Sequence, residues 1–163
     1  MIGHLQRNKA RKIADLVRLV HSVDSLRLAE ELQTIANKID REIEVLVQVN
    51  VSGEESKFGV PIPAAGAIAE QIDTMINVKV RGLMTMAPLS KTPEESRKYF
   101  ERCRELFEDL QTQGVGEGHF NLLSMGMSND YEVAIEEGAN LVRVGTAIFG
   151  NTPLVEPVEL ETL

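Results

Sequence analysis

The feature that most restricts what this chain can fold into is a repeated switch between two periodicities. Short apolar runs, most of them rich in β-branched residues, recur at 18–23 (RLVHSV), 44–51 (EVLVQVNV), 78–86 (VKVRGLMTM), 120–125 (FNLLSM) and 141–145 (LVRVG). Their length and composition are those of strands. Between them lie longer helical patterns. In 24–40, Leu28, Leu32, Ile35 and Ile39 recur along one helix face, and in 93–113 Phe100, Cys103, Phe107 and Leu110 do the same. The helix boundaries carry their own chemistry. TPEE at 92–95 puts Thr92 at an N-cap, Pro93 at the first helical position and Glu95 where a capping box needs it. Gly114 follows that helix and can supply its left-handed terminus. SNDYEVAIEEG likewise opens on Ser128, expected to cap the helix that follows, and closes on Gly138.

Strand alternating with helix means βαβ units and a parallel sheet. A doubly wound sheet and a (β/α)₈ barrel both satisfy this. A dinucleotide-binding fold should show G-x-G-x-x-G after the first strand, and none is present. Glycine-containing loops instead follow the last two strands, where (β/α)₈ barrels build their phosphate site. The barrel is therefore expected, with the last two strands here as its seventh and eighth. The count falls short. Five strands are clear, and MIGHL at 1–5 reads as the end of a sixth. An eight-stranded barrel typically runs to about 250 residues, at roughly 30 per βα unit. The expectation is thus a TIM-barrel-type α/β fold in one domain, residues 1–163, holding only the last six strand–helix units.

Charge and composition exclude several roles. A net charge of −8 over 163 residues disfavours general nucleic-acid binding, which needs clustered Lys and Arg. Arg7, Lys9, Arg11 and Lys12 form a small basic cluster, and Glu156, Glu159 and Glu161 an acidic tail. Both read as solvated faces, with a basic patch beside an anionic ligand as the sharper reading. No apolar run approaches a membrane span, and the first residues show no signal core. Cys103 is the single cysteine. It fits a reducing, cytoplasmic setting, and its place on an apolar helix face reads as a small buried hydrophobe. His4, His21 and His119 are too scattered to suggest a metal site, and His21 reads as a satisfied core histidine. Met84 and Met86 share one side of their strand and are expected in the barrel core.

Two loops carry the chemistry. In SMGMSND, 124–130, a strand ends, Gly126 allows close backbone approach, and serine hydroxyls with free helix N–H groups make an anion site. A plain βα turn would use the same residues. In VRVGTAIFG, 142–150, Arg143 and Gly145 point to one side of the strand, with Val142 and Val144 to the other, toward the helices. Arg143 then enters the barrel mouth. A guanidinium there needs either a carboxylate partner or a ligand. Gly145 and Thr146 follow as backbone and hydroxyl donors suited to phosphate.

The blocks IGHLQRNK, VHSVDS, VNVSGEESKFG, RGLMTMAP and LLSMGMSNDYEVAIEEGANLVRVGTAIFG closely resemble, in order, the pyridoxal 5′-phosphate homeostasis proteins, the YggS/PROSC family. The resemblance implies the barrel of the alanine racemase N-terminal domain without a second domain, binding of pyridoxal 5′-phosphate (PLP), and a role in cofactor homeostasis with no firmly assigned reaction. Carried over by position, Ser124, Gly126 and Ser128 would form the phosphate cup with Gly145 and Thr146, and Arg143 would face the pyridine nitrogen. An arginine there is always protonated, so it donates to that nitrogen and disfavours its protonation. Many PLP enzymes place an acid at this position instead.

The family's Schiff-base lysine lies on the first barrel strand and its FGEN-like segment on the second, and neither occurs here. Exposed strand edges and self-association are therefore expected. Lys57, on the same rim by topology, is the candidate substitute amine, against the simpler reading of a loop lysine paired with Glu54 or Glu55. The leading expectation is a PLP carrier without catalysis, handing the cofactor to apo PLP enzymes. A racemase-like enzyme would need the lysine and an opposing acid/base, and Tyr99 and Tyr131 both lie in helical segments away from the mouth. A barrel for another phosphorylated metabolite is the third reading.

Overall fold

All five apolar runs become strands. The structure, a computed structural model, describes residues 1–150. The strands are β1 (Leu19–Val23), β2 (Ile43–Asn50), β3 (Val60–Pro61), β4 (Val78–Thr85), β5 (Leu122–Met127) and β6 (Leu141–Arg143). Every pairing is parallel, in the order β1-β2-β4-β5-β6, with β3 beside the end of β2. The helices are α1 (Ala10–Ile13), α2 (Leu26–Lys38), α3 (Ile62–Asp73), α4 (Arg97–Thr112), α5 (Tyr131–Glu136) and α6 (Thr146–Phe149). The two-residue β3 is the strand periodicity does not reveal. MIGHL, expected as the end of a sixth strand, is not one: only Met1 meets β1, its amino group donating to Leu19 O at 2.8 Å and His21 N donating to Met1 O at 2.9 Å.

One face of the sheet packs on the helices. Val45, Val47 and Val49 of β2 and Val78, Val80 and Leu83 of β4 share a core with Leu28, Leu32 and Ile35 of α2, Ala65, Ala69 and Ile72 of α3, and Phe100, Cys103, Phe107 and Leu110 of α4. Both periodic helix faces are thus buried, and each fully buried large side chain stabilises by about 1.5–3 kcal/mol. The other face is concave. Leu46 pairs in register with Gly82 and Gln48 with Met84, turning toward it.

The sheet is curled into a half-barrel. Register slips place one extra residue on β1 between Val20 and Val23, on β4 between Val80 and Gly82, and on β5 between Ser124 and Met127. Such bulges bend a strand and increase its twist. At the bulge in β4, a Cβ on Gly82 would sit 1.8 Å from Leu122 O, so only glycine lets β5 approach there. The clearest mark of the curl is His21 Nδ1 lying 3.0 Å from Ser124 Oγ. β1 and β5 are separated by β2 and β4, roughly 14 Å in a flat sheet at ordinary strand spacing.

Several local expectations change. Ser128 does not cap α5; the residue before that helix is Asp130, whose Oδ1 accepts from Met127 N at 2.7 Å. Thr92 does precede a helical turn, but its hydroxyl donates to Glu95 Oε1 and to no backbone group, while Lys91 N donates to Glu95 Oε2. Gly114 and Gly138 end α4 and α5 as expected. Met86 lies one residue beyond β4 and is 38% exposed, so it is not core, whereas Met84 is buried. The basic cluster at 7–12 is a solvated face, with Arg11 paired to Asp15 at 3.2 Å. Glu156, Glu159 and Glu161, and the end of the 1–163 domain, lie outside the described residues. Among the described residues, no helix is long and apolar enough to cross a membrane, and no group of three or more His, Cys, Asp and Glu gathers as a metal site.

Candidate functional site

A cavity of about 670 Å³ opens at the C-terminal ends of β4, β5 and β6. Three loops wall it: residues 87–91 with Pro93, then Met127–Asp130, then Gly145 and Thr146. In a parallel sheet this is the end where strands deliver ligand-binding residues.

Ser128 organises its floor. Its Oγ accepts from Gly145 N at 3.1 Å and from Ala147 N at 3.3 Å, so it caps α6, one helix and one strand further along the chain, instead of the helix next to it. These are N–H groups that a short helix leaves without internal partners. Gly126 stands behind them. Its φ is +92°, and a Cβ would meet Ala134 Cβ at 2.6 Å and Tyr131 Cα at 2.9 Å. The close approach expected of this glycine is therefore to α5.

Ser124 and Arg143 are buried on the strands and do not line the cavity. Arg143 Nη1 donates to Ser124 Oγ at 2.7 Å and Nη2 donates to Thr85 O at 2.8 Å. Among the described residues it forms no ion pair, and Asp130 is the acidic side chain whose charge acts on it. Burial pulls its guanidinium below the ordinary range, with Asp130 and the Cys103 thiol working the other way. Cys103 itself is pushed up to about 12 by burial, which makes it an inert thiol, not a nucleophile. His21, also buried, is lowered to about 4, first by desolvation and then by the charges of Arg143 and the amino terminus.

The structure thus brings Ser128, Gly145 and Thr146 to one cavity and joins Ser124 to Arg143 beneath the strand ends. Lys57 is not among the lining residues. Its Nζ is buried without a hydrogen bond, 3.7 Å from Glu54 Oε1. Tyr99 and Tyr131 lie in α4 and α5, as anticipated. Two participants were not singled out from sequence, the Thr85 carbonyl and the loop 87–91. The proline in APLSK, which cannot continue the ladder, is the signal that marks where that strand turns into the rim.

Comparison with known proteins agrees with this layout. Residues 1–153 match the family model described as alanine racemase, N-terminal domain. The fold and its rim cavity define a barrel domain of that class. A pyridoxal phosphate homeostasis protein of Aquifex aeolicus (strain VF5) is 47% identical over 150 residues, covering 91% of this chain and 64% of the relative. One of Corynebacterium glutamicum is 37% identical over 164 residues, covering 94% of this chain and 70% of the relative. The structure of PipY from Synechococcus elongatus PCC7942, with PLP bound, superposes with a TM-score of 0.80 at 38% identity, covering 91% of this chain and 68% of that one. Within its class, the chain belongs to the pyridoxal phosphate homeostasis family. It spans less than two thirds of the length of the Aquifex relative.

Proposed function

We propose that this chain binds PLP and serves its homeostasis as a carrier. In this reading Ser128, Gly145 and Thr146 hold the phosphate, Gly126 and Ser124 shape the strand end beneath it, and Arg143 meets the pyridine nitrogen. The observation that carries it is the pairing of two features at the ends of β5 and β6. Backbone N–H groups are gathered on one serine hydroxyl, and beside them stands a buried arginine that has no carboxylate within ion-pair distance among the described residues. The first suits a phosphate; the second suits a neutral acceptor nitrogen better than an anion already paired. The residues fit the group, and the cavity is large enough for it. PLP supplies electron-sink chemistry when bound. A fixed donor at the ring nitrogen restrains that chemistry, which is why a carrier and not a racemase is inferred. PipY with PLP bound supports the ligand.

The reading extends to a cytoplasmic location, which the single buried cysteine supports, to apo PLP enzymes as recipients, and to self-association through the open sheet. Lys57 is retained as the candidate amine: its Nζ, ion-paired with Glu54 at 3.7 Å but without a hydrogen bond, lies on the loop after β2. The test is borohydride reduction of the purified chain after PLP addition, followed by intact and peptide mass. A stoichiometric adduct at Lys57, lost in Lys57→Ala, is expected if this amine meets the aldehyde. A PLP absorbance with no fixed adduct would assign non-covalent holding. Neither absorbance nor adduct would refute PLP binding by this chain.

A further inference from the structure

Beneath the cavity, three side chains from three strands form one directed chain. Arg143 on β6 donates to Ser124 on β5, which meets His21 on β1. A serine hydroxyl has one proton and two lone pairs, and a guanidinium can only donate. Oγ must therefore accept from Nη1, which leaves its own proton for His21 Nδ1. That nitrogen must accept, so the ring carries its proton on Nε2 and is neutral. The reverse arrangement would aim two donors at one oxygen and leave a buried hydroxyl proton without a partner.

We propose that His21, acting through the Ser124 hydroxyl, is a positioning residue for Arg143. Its place is built for this. β1 carries its extra bulge residue between Val20 and Val23, the stretch that holds His21, and bulges re-aim side chains. With the Ser124 proton fixed on Nδ1, the lone pair facing Nη1 is fixed too. Thr85 O holds Nη2. The guanidinium plane is then set by two anchors, one on each terminal nitrogen, and the hydrogen bonds polarise one another in a site shielded from water. The lowered proton affinity of His21 is consistent with a ring that stays an acceptor at neutral pH. That the plane so fixed faces a pyridine nitrogen rests on the reading of Arg143 above; that His21 fixes it does not.

The test uses the chain without PLP, labelled with ¹⁵N at arginine and histidine. Arg143→Lys identifies the Arg143 signals. In the unaltered protein at neutral pH, His21 should show an unprotonated Nδ1 and a protonated Nε2. Its two Arg143 Nη groups should resolve because rotation is slow. His21→Phe keeps the ring and removes the acceptor, so Nη rotation should accelerate at least tenfold. His21→Asn places an oxygen where Nδ1 stood and should restore slow rotation. Ser124→Ala should match His21→Phe. A proton on Nδ1 in the unaltered protein overturns the proposal, and this needs no variant to fold. So does unchanged rotation in His21→Phe, or rotation in His21→Asn as fast as in His21→Phe. A protein that passes and still shows no PLP absorbance keeps this chain of bonds and loses only the reading of what Arg143 meets.

Discussion

His21 shows how one ring ties stability to pH. Its ordinary pKa of 6.5 falls to about 4 in the folded protein, mainly because burial disfavours the charged ring. Between those values the unfolded chain holds a proton that the folded chain refuses. More protons bound when unfolded means that stability rises with pH across this window and is lost as pH falls through it. From pH 7 to pH 4 the contribution of this ring is on the order of 1–2 kcal/mol, less than the bare shift implies because nearby solvent screens the charged ring. Urea unfolding at both pH values checks it, and His21→Phe should remove that part of the slope. At Gly126, alanine would force α5 away from β5, because the added Cβ would lie 2.6 Å from Ala134 Cβ. A loss of about 3 kcal/mol or more is expected in the same measurement.

Among the elements, one buried carboxylate ties the end of α5 to α4. Glu137, just past α5, accepts from Arg97 at 2.7 Å and from Arg104, both on α4, and is itself buried. Arg97 also holds Glu94 and Glu136, and these bonds raise its pKa. Glu137→Ala removes the acceptor that Arg97 and Arg104 share, and it should lower the melting temperature, with Glu137→Gln milder; thermal melts of the two variants check this. What could be read in the sequence follows from range. The strands and the faces of α2 and α4 announce themselves because periodicity is local. The parity of Met84 and Met86 was legible too, but not that β4 stops at Thr85. Ser128 capping α6 needs contacts 17 and 19 residues away, and His21 meeting Ser124 needs one spanning 103 residues. No spacing rule reports those. β3, with two residues, is too short to show a period at all.

For the whole molecule, the curled sheet ends at β1 on one side and β6 on the other. Met1 partly covers the first. Among the described residues, β6 has no strand on its outer side, and Ile148 just after it is 68% exposed. Unpaired parallel edges beside apolar surface recruit other chains. The chain is expected to sediment as a dimer or larger species whose mass falls on dilution. A monomer that stays monomeric up to about 100 μM would contradict that expectation, since edges this open should associate well below such a concentration.

The seat that Ser128 keeps at Gly145 and Ala147 is already taken before any ligand arrives. Occupancy of the cavity is therefore a trade, one acceptor for another, and a trade favours only the bidder that offers more. A neutral hydroxyl is displaced at a profit by a charged oxygen, since charge-assisted bonds are roughly twice as strong. An uncharged newcomer gains nothing. Pyridoxal lacking its phosphate should accordingly bind at least about 100-fold more weakly than PLP, measured by calorimetry.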